Sequence, residues 1–567
     1  MIEPRKRRSG GSQRDRLPRK ATSEQPKDSG WGAPVPPRSE SSAIQHRSSA
    51  RESGDLAERL PAGGPRKAAT ERRQAATRRQ AHQKSETSVV PEKSANSWVT
   101  PEEPMEERDV ANGNPPSETR NRAQDRERAL THLERVGKAA REGKEEKFNN
   151  LLSHIKVPLL KEALMRLKKR SAPGVDGISW SDYAEAEDLD ARLDDLQDRV
   201  HRGSYHPRPS RRVRIAKGDG RERLLGVPAL EDKLVQQAVR MLLEPIYEAT
   251  FVGFSYGFRP GRSQHKALDA LFVALGRKTN WVLDADIASF FDTIDHRWMQ
   301  KFLEHLIADR RLVRLLMKWM NAGVMEDGEL HETEMGTPQG GVISPLLANI
   351  YLHYVFDLWV QQWRKREARG EVYIVRYADD VVMGFQHEED AWKMHSALAE
   401  RLSEFGLQLH PEKTRVIRFG RFARRDCAMD GNERPETFDF LGFTHICGEG
   451  RERKFRLIRR TSKKKRDRKL SELSGEIRRR RHHAMSDQHR WLSSVLRGHY
   501  NYYGVPGNTR ALGSFRRHVC RKWHASLQRR SQRAGWPRTK LERIEALFPL
   551  PNPRITQQHP LERLPFR

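Results

Sequence analysis

The chain has 567 residues, 106 of them Lys or Arg against 76 Asp or Glu, a formal charge of +30, and only 36% hydrophobic residues. Such a length predicts three or four domains, and so low an apolar fraction predicts that part of the chain has no core. A pI near 10.2 makes a polyanion the natural partner, above all nucleic acid. The charge is uneven: residues 121–450 carry 51 basic and 51 acidic side chains, whereas 451–540 carry 28 and 5. A neutral centre beside one cationic segment argues against a uniformly basic coat protein. Cys427, Cys447 and Cys520 include no C-x-x-C pair, which excludes a zinc knuckle, a dithiol centre or a disulfide-built secreted domain. The start MIEPRKRRSGG has no apolar stretch behind it, so no signal peptide is expected. The most apolar 20-residue run, Gly341 to Val360, contains Asn349, His353 and Asp357 and reads as a buried helix, not a membrane span. No G-x-x-x-x-G-K-[ST] is present, which disfavours a P-loop ATPase.

In chain order, residues 1–120 are rich in Ser, Gly, Pro, Gln, Arg and Glu and lack aliphatic periodicity, so a disordered extension is expected. Either a solvated tail or an accessory RNA-binding arm fits it. Helix is expected from about Arg122, and again over Val157–Lys169 until Pro173 and the glycines that follow. Residues Val213–Val227 read as two short strands around a Lys217-Gly-Asp-Gly220 turn, carrying Lys217, Arg221 and Arg223. A helix over Leu230–Leu243 should stop at Pro245. Trp281–Ile287 is a strand, Arg297–Met320 a helix, Gly341–Val360 a long buried helix, and Val372–Tyr377 with Val381–Phe385 two strands around Ala378-Asp379-Asp380. This alternation predicts an α+β sheet domain flanked by helices, with no solenoid repeat.

The carboxylates stand out. A strand's period of two puts Asp284 and Asp286 on one face, and Asp379 and Asp380 interrupt two apolar runs at a hairpin tip. Burying such acids costs several kcal/mol each without a proton, an Arg or Lys, or a cation. With no His or Cys beside them, a hard divalent ion with oxygen ligands, Mg²⁺, suits them better than Zn²⁺. Two such ions ~4 Å apart would assist an in-line phosphoryl transfer. Gly253-Phe-Ser-Tyr-Gly257 fits the G-x-S-x-G elbow of serine hydrolases, but Arg259-Pro-Gly-Arg-Ser263 follows where that motif needs a helix.

At these residues the sequence resembles the group II intron reverse transcriptases, or maturases. Tyr377-Ala-Asp-Asp380 matches their Y-x-D-D box, and Asp286-Ile-Ala-Ser-Phe-Phe291 their D-x-x-x-F-F motif. Gly336-Thr-Pro-Gln-Gly-Gly341 followed by Val-Ile-Ser-Pro-Leu-Leu-Ala-Asn349 matches the block between them. Ala172-Pro-Gly-Val-Asp-Gly177, Leu225-Gly-Val-Pro228, Ser255-Tyr-Gly-Phe-Arg-Pro-Gly-Arg-Ser263, His410-Pro-Glu-Lys-Thr414 and Phe440-Leu-Gly-Phe443 follow the family's order across about residues 145–550.

The resemblance implies an α+β right-hand polymerase. Residues 121–280 would be fingers, 281–450 the palm, 451–550 a helical basic thumb and maturase domain, and 551–567 a tail without an endonuclease domain. It implies that Asp286, Asp379 and Asp380 hold two Mg²⁺ ions. It assigns Phe291 to sugar selection, Gln339 to nucleotide contact, Lys413 to proton donation toward pyrophosphate, and Lys217 with Arg223 to the triphosphate. A basic hairpin gripping template phosphates is the other reading of Lys217 and Arg223. Asp284 has no metal role in the family motif.

The segment 459–481, with Lys463, Lys464, Lys465 and Arg466, reads as a charged helix face for a phosphate backbone. Beyond it Arg497, Tyr500, Tyr502 and Arg510 put rings among cations, which suits stacking on unpaired bases or a small helical core equally. By resemblance this region binds intron RNA and assists splicing. The implied partners are intron RNA, target DNA and dNTPs, with no membrane and with a homodimer left open, in the cytoplasm within a ribonucleoprotein or at the nucleoid. The implied function is RNA-directed DNA polymerisation joined to splicing. Its rivals are a splicing maturase with little polymerase activity and a domesticated reverse transcriptase of a retron or defence system.

Overall fold

The computed structural model describes residues 117–143, 147–216, 222–326, 328–332, 335–337, 339–450, 455–530 and 537–563. The chain divides into Met1–Ala69 and Thr70–Arg567, and all described residues belong to the second unit. The expected disordered extension and the Lys217–Gly220 turn fall outside the described residues, apart from a helix Ser117–Glu142 that takes in the extension's last residues.

Three sheets organise the rest. Strands β1 (Ser210–Ala216), β2 (Glu222–Val227), β4 (Val324–Glu326) and β5 (Glu329–His331) form one sheet in the order β2-β1-β4-β5. The central sheet is antiparallel, β6-β7-β3-β8, from β3 (Trp281–Asp286), β6 (Val372–Tyr377), β7 (Asp380–Phe385) and β8 (Arg415–Arg418). The third, β11-β10-β9, joins β9 (Phe438–Phe440), β10 (Phe443–Glu449) and β11 (Phe455–Thr461).

Period-two alternation gives the central sheet two apolar faces. Leu283, Ala285, Val381 and Met383 enter the main core, with Leu234, Val239, Leu316, Leu347 and Ile350 from the surrounding helices. Val282, Val375, Val382 and Ile417 enter a second core with Leu268 and Leu271 of the helix Gln264–Leu275 and with Phe438, Phe440 and Phe443. Asp284 and Asp286 share the parity of Val282, so they extend the second face toward the C-terminal end of β3. A third core is helical, built on Leu473, Leu496, Phe515 and Trp523. Among the described residues no helix is long and apolar enough to cross a membrane.

Three expectations need correction. The helix Leu230–Glu248 runs through Pro245. Proline removes one backbone bond at a cost of about 3 kcal/mol, but continuing buries Ile246 and Tyr247, each worth roughly 1.5–3 kcal/mol. The expected helix over 297–320 is two, His296–Leu306 and Arg310–Met320, because Asp309 caps the second. Its Oδ1 accepts from Arg311 N at 3.0 Å, and its Oδ2 accepts from Leu152 N at 2.9 Å. The long apolar helix begins at Ser344, not Gly341, since Val342 N donates instead to buried Gln236 Oε1 at 2.8 Å. It passes through a π-helical turn at His353–Asp357 and continues over Leu358–Arg366.

One buried group makes the second core sensitive to acid. His445 is 0% exposed, lies flat on Phe438 at 4.8 Å, and has both ring nitrogens unpaired. Burial, aided by Arg459, pushes it down to about 3. Its pKa in the unfolded chain is near 6.5, so its contribution is intact above that pH and falls by up to about 1.4 kcal/mol per pH unit as pH drops toward 3. Denaturant titration of His445→Phe should therefore show a gain over wild type that is larger at pH 5 than at pH 8. An equal gain at both would contradict this account.

Candidate active site

The Tyr377–Asp380 hairpin is the centre of the site. Tyr377 pairs with Asp380 across β6 and β7, which leaves Ala378 and Asp379 as a two-residue loop. Ala378 is left-handed, φ 57°, a conformation that costs a non-glycine residue roughly 1–2 kcal/mol. The strain is held from below. Arg376, 0% exposed, donates through Nη1 to the Ala378 carbonyl at 3.0 Å and to Asn349 Oδ1 at 3.1 Å. Its Nε donates to Asp357 Oδ1 at 2.7 Å, and its Nη2 donates to the same carboxylate's other oxygen. Asp357, also 0% exposed, comes from the π-helical turn.

Backbone contacts close the other side. Tyr256 N donates to Arg376 O at 2.8 Å and Arg376 N to Phe254 O at 2.9 Å. Gly257 packs so tightly that a Cβ there would lie 2.3 Å from Ala378 N. Its carbonyl accepts from Asn349 Nδ2 at 2.7 Å. The hydrolase reading of this segment fails on geometry, since Ser255 is 0% exposed in a β-bridge to Arg376.

Asp286 stands opposite Asp380 across β3 and β7, and Asp284 opposite Arg415 of β8. Lys413 Nζ lies 2.6 Å from Asp286 Oδ2, and Arg415 Nε 4.0 Å from Asp284 Oδ2. Backbone bonds fix the lysine's segment, with His410 N donating to Asp286 O at 2.8 Å. Burial raises Asp284 to about 7, with Asp380, Asp286 and Asp439 adding repulsion that Arg415 offsets. Asp380 is raised as well, by crowding and by Asp379 and Asp286, against Lys413 and Lys465. The Asp380 side chain opens to solvent, which screens much of that effect.

Among the described residues no three His, Cys, Asp or Glu side chains already form a metal cage. The donor set nevertheless fits a hard divalent ion: it is all carboxylate oxygen, and the neighbouring acids help to raise Asp284 and Asp380. In the structure the neutralising cation on Asp286 is the Lys413 ammonium.

The other sequence blocks are packed on one another. Phe291 is half-buried, its ring edge-on to Phe290 at 5.3 Å and its carbonyl accepting from Thr337 N at 2.8 Å. Gln339 O accepts from Gly226 N at 2.7 Å, and Gly340, φ +125°, presses so close that a Cβ would lie 2.4 Å from Gly226 O. The Ala172–Gly177 block is tied to the following helix by Lys233 Nζ to Ala172 O at 2.6 Å and Leu230 N to Asp176 Oδ2 at 3.0 Å. Lys217 lies outside the described residues. Arg223 sits on β2 opposite Ile215, and its side chain is likewise outside them.

Lys463, Lys464 and Lys465 are exposed in the first turn of the helix Lys463–Arg479, and Lys465 is close enough to Asp380 to act on it electrostatically. Arg466 pairs with Asp467 at 2.8 Å. Arg497 and Arg510 are exposed. The two tyrosines are packing residues. Tyr500 is 1% exposed and donates to Pro551 O at 2.9 Å, which leaves no ring face for a base. Tyr502 is half-buried, stacked on Phe443 at 6.0 Å, with its hydroxyl donating to Leu441 O at 2.9 Å.

Residues 215–445 match the family described as Reverse transcriptase (RNA-dependent DNA polymerase). Protein YkfC of Escherichia coli strain K12 is 38% identical over 256 residues, 40% of this chain and 67% of that protein. Group II intron-encoded protein LtrA of Lactococcus lactis subsp. cremoris is 39% identical over 238 residues, 41% of this chain and 39% of that protein. The chain belongs to the group II intron reverse transcriptases and maturases. Putative COX1/OXI3 intron 1 protein of Saccharomyces cerevisiae is 29% identical over 321 residues, 47% of this chain and 38% of that protein. This reverse transcriptase thus spans two thirds of one relative and about two fifths of the others.

Sequence reasoning missed Arg376, Asp357, Asn349 and Gly257, which hold the acidic turn. Two signals were present: an Arg inside the apolar VYIVRY run, and polar residues within the apolar 341–360 run, read only as an argument against a membrane. The contact also separates the glycines of Gly253-Phe-Ser-Tyr-Gly257. Gly257→Ala should lower stability by about 1–3 kcal/mol through overpacking. Gly253→Ala, whose Cβ would meet nothing within 4 Å, should stay within about 0.5 kcal/mol. Equal effects in thermal melts would contradict the docking.

Proposed function

We propose that the chain is an RNA-directed DNA polymerase of a group II intron that also binds its intron RNA to assist splicing and retrohoming. The observation that supports this reading is Asp286 standing opposite Asp380 across β3 and β7, with Asp379 in the adjoining turn, Lys413 on Asp286 and Lys465 acting electrostatically on Asp380. In this reading residues 281–450 are the palm, 121–280 the fingers, and 451–550 the thumb and RNA-binding domain. Its setting is a cytoplasmic or nucleoid ribonucleoprotein, with target DNA and dNTPs as further partners.

The reaction is attack of a primer 3′-hydroxyl on the α-phosphorus of a dNTP. The new P–O bond forms as the bond to pyrophosphate breaks, and the hydroxyl proton passes to water. Asp286, Asp379 and Asp380 would hold two Mg²⁺ ions, which when bound would supply activation of the hydroxyl and stabilisation of the leaving group. Lys413 pairs with Asp286 at rest, and release from that pair frees it to protonate the pyrophosphate. Phe291 excludes a 2′-hydroxyl beneath the sugar, Gln339 contacts the nucleotide, and Lys217 and Arg223 take the triphosphate. Lys463, Lys464, Lys465, Arg466, Arg497 and Arg510 bind RNA phosphates. Intact acids support the polymerase reading over a maturase without polymerase activity.

Primer extension on an RNA template should fall by roughly 10²-fold or more in Asp379→Asn, with RNA binding retained. Extension that survives the change would remove the assigned site, and wild-type protein that binds RNA without extending would favour the maturase alone. Phe291→Ala should admit rNTPs at least about tenfold better relative to dNTPs, a factor worth about 1.4 kcal/mol. An unchanged ratio would return Phe291 to packing.

A further inference from the structure

Phe258 is the bulkiest of the described non-glycine residues with a left-handed backbone, φ 58°, a conformation that strains a large side chain. The chain on either side holds it there. Gly257 before it is pressed on Ala378, and its carbonyl accepts from Asn349 Nδ2 at 2.7 Å. Arg259 after it is 6% exposed and donates to Glu248 through Nε at 2.8 Å and Nη2 at 2.9 Å. Its Nη1 donates to Val252 O at 2.7 Å and to Ser255 O at 2.8 Å. All this bonding does not bury the Phe258 ring, which stays 48% exposed. Glycine would meet the needs of packing here without strain, so a strained, half-bare ring locked in one place points to a ligand.

Its place decides which ligand. Residues directly opposite in an antiparallel pair share a face, so Tyr377, Asp380 and Asp286 stand in a row across β6, β7 and β3. The bridge from Ser255 to Arg376 lays the neighbouring segment along the outer edge of β6, and the Phe258 ring lies 6.3 Å from that of Tyr377. The row therefore runs Phe258, Tyr377, Asp380, Asp286. Lys413 on Asp286, and Phe291 five residues after it, put the nucleotide residues of the proposed reaction at one end, with Phe258 at the other. At ~4.8 Å per strand spacing the ring lies roughly 10 Å from Asp380. That reaches back two or three nucleotides, at about 3.4 Å of rise each, along a strand whose 3′-end is at the acids. The minor groove of an A-form hybrid is wide and shallow and presents sugars, whose C–H faces suit a flat apolar ring.

We infer that Phe258 is a primer-binding residue, whose ring rests on the sugars of the primer's terminal nucleotides and thereby sets the 3′-hydroxyl at the acid end of the row. This rests on the proposed polymerase function and adds to it a contact with the strand being extended. The same docking of Gly257 on Ala378 that fixes the acidic turn fixes the ring, so the acids and the strand they act on are placed by one piece of backbone.

The test uses the full chain with Phe258→Gly and Phe258→Tyr, read by thermal melting and by single-nucleotide extension at saturating primer and template. Glycine relieves the left-handed strain, so Phe258→Gly should melt at or above the wild-type temperature. Its extension rate should nonetheless fall about tenfold through a misplaced 3′-hydroxyl, with KM for dNTP changed by less than about twofold. Phe258→Tyr keeps the ring and should stay within about threefold of the wild-type rate. An unchanged rate in Phe258→Gly would overturn the contact. So would a lowered melting temperature, which would make the ring a packing residue. A photocrosslink reads the strand directly: with p-benzoylphenylalanine in place of Phe258, irradiation should join the protein to the primer's terminal nucleotides. Crosslinks confined to the template or to a second copy of the chain, or none at all, would overturn the assignment. If wild type does not extend, the polymerase reading falls, while crosslinking to the primer end still decides the contact.

Discussion

The buried ion pair between Arg376 and Asp357 is the constraint on which the acidic turn depends. A guanidinium and a carboxylate, both 0% exposed, are expensive to remove from water, and they are tolerated because nearly every donor has an acceptor. One arm reaches past the pair to the Ala378 carbonyl. The same interaction that makes the Arg acceptable in the core therefore keeps a non-glycine residue left-handed, and that backbone sets where Asp379 and Asp380 begin. Asp357 can meet Arg376 because the long helix swells into a π-helical turn there.

Around that turn the sequence blocks are joined by backbone to backbone, not by side chains alone. The segment at Gly257 lies on Ala378, the Gln339–Gly340 loop lies on Gly226 of β2, and the Phe291 carbonyl takes the Thr337 amide. Side chains would hold these pieces apart. The electrostatics run the other way from the packing: burial and the neighbouring acids raise Asp284 and Asp380, and Lys413, Lys465 and Arg415 oppose that rise from neighbouring segments. The zero net charge of residues 121–450 thus conceals a local excess of acid, while the surplus of cations lies in 451–540.

The strand periods, the hairpin and the acids were legible because each is a local pattern. Asp284 and Asp286 share a face by parity alone, and an acidic pair between two apolar runs marks the turn. What escaped depends on distant partners. Pro245 stays inside its helix because Ile246 and Tyr247 find a core, and no local signal shows that. Tyr500 among arginines looked as suited to bases as to packing, and only its place against Leu496 and Phe515 decides for packing. Arg376 was visible as a charge in an apolar strand, but its partner lies 19 residues earlier on another element.

The most direct measurement is a double-mutant cycle of Arg376→Leu and Asp357→Leu, with stability and primer extension read on the same proteins. Each single change leaves an unpaired buried charge and should cost about 3–5 kcal/mol. The double variant should recover most of that stability yet extend at least about tenfold more slowly, a factor worth about 1.4 kcal/mol, because Ala378 has lost its donor. A double variant that regains both stability and extension would contradict the claim that this pair positions the acidic turn.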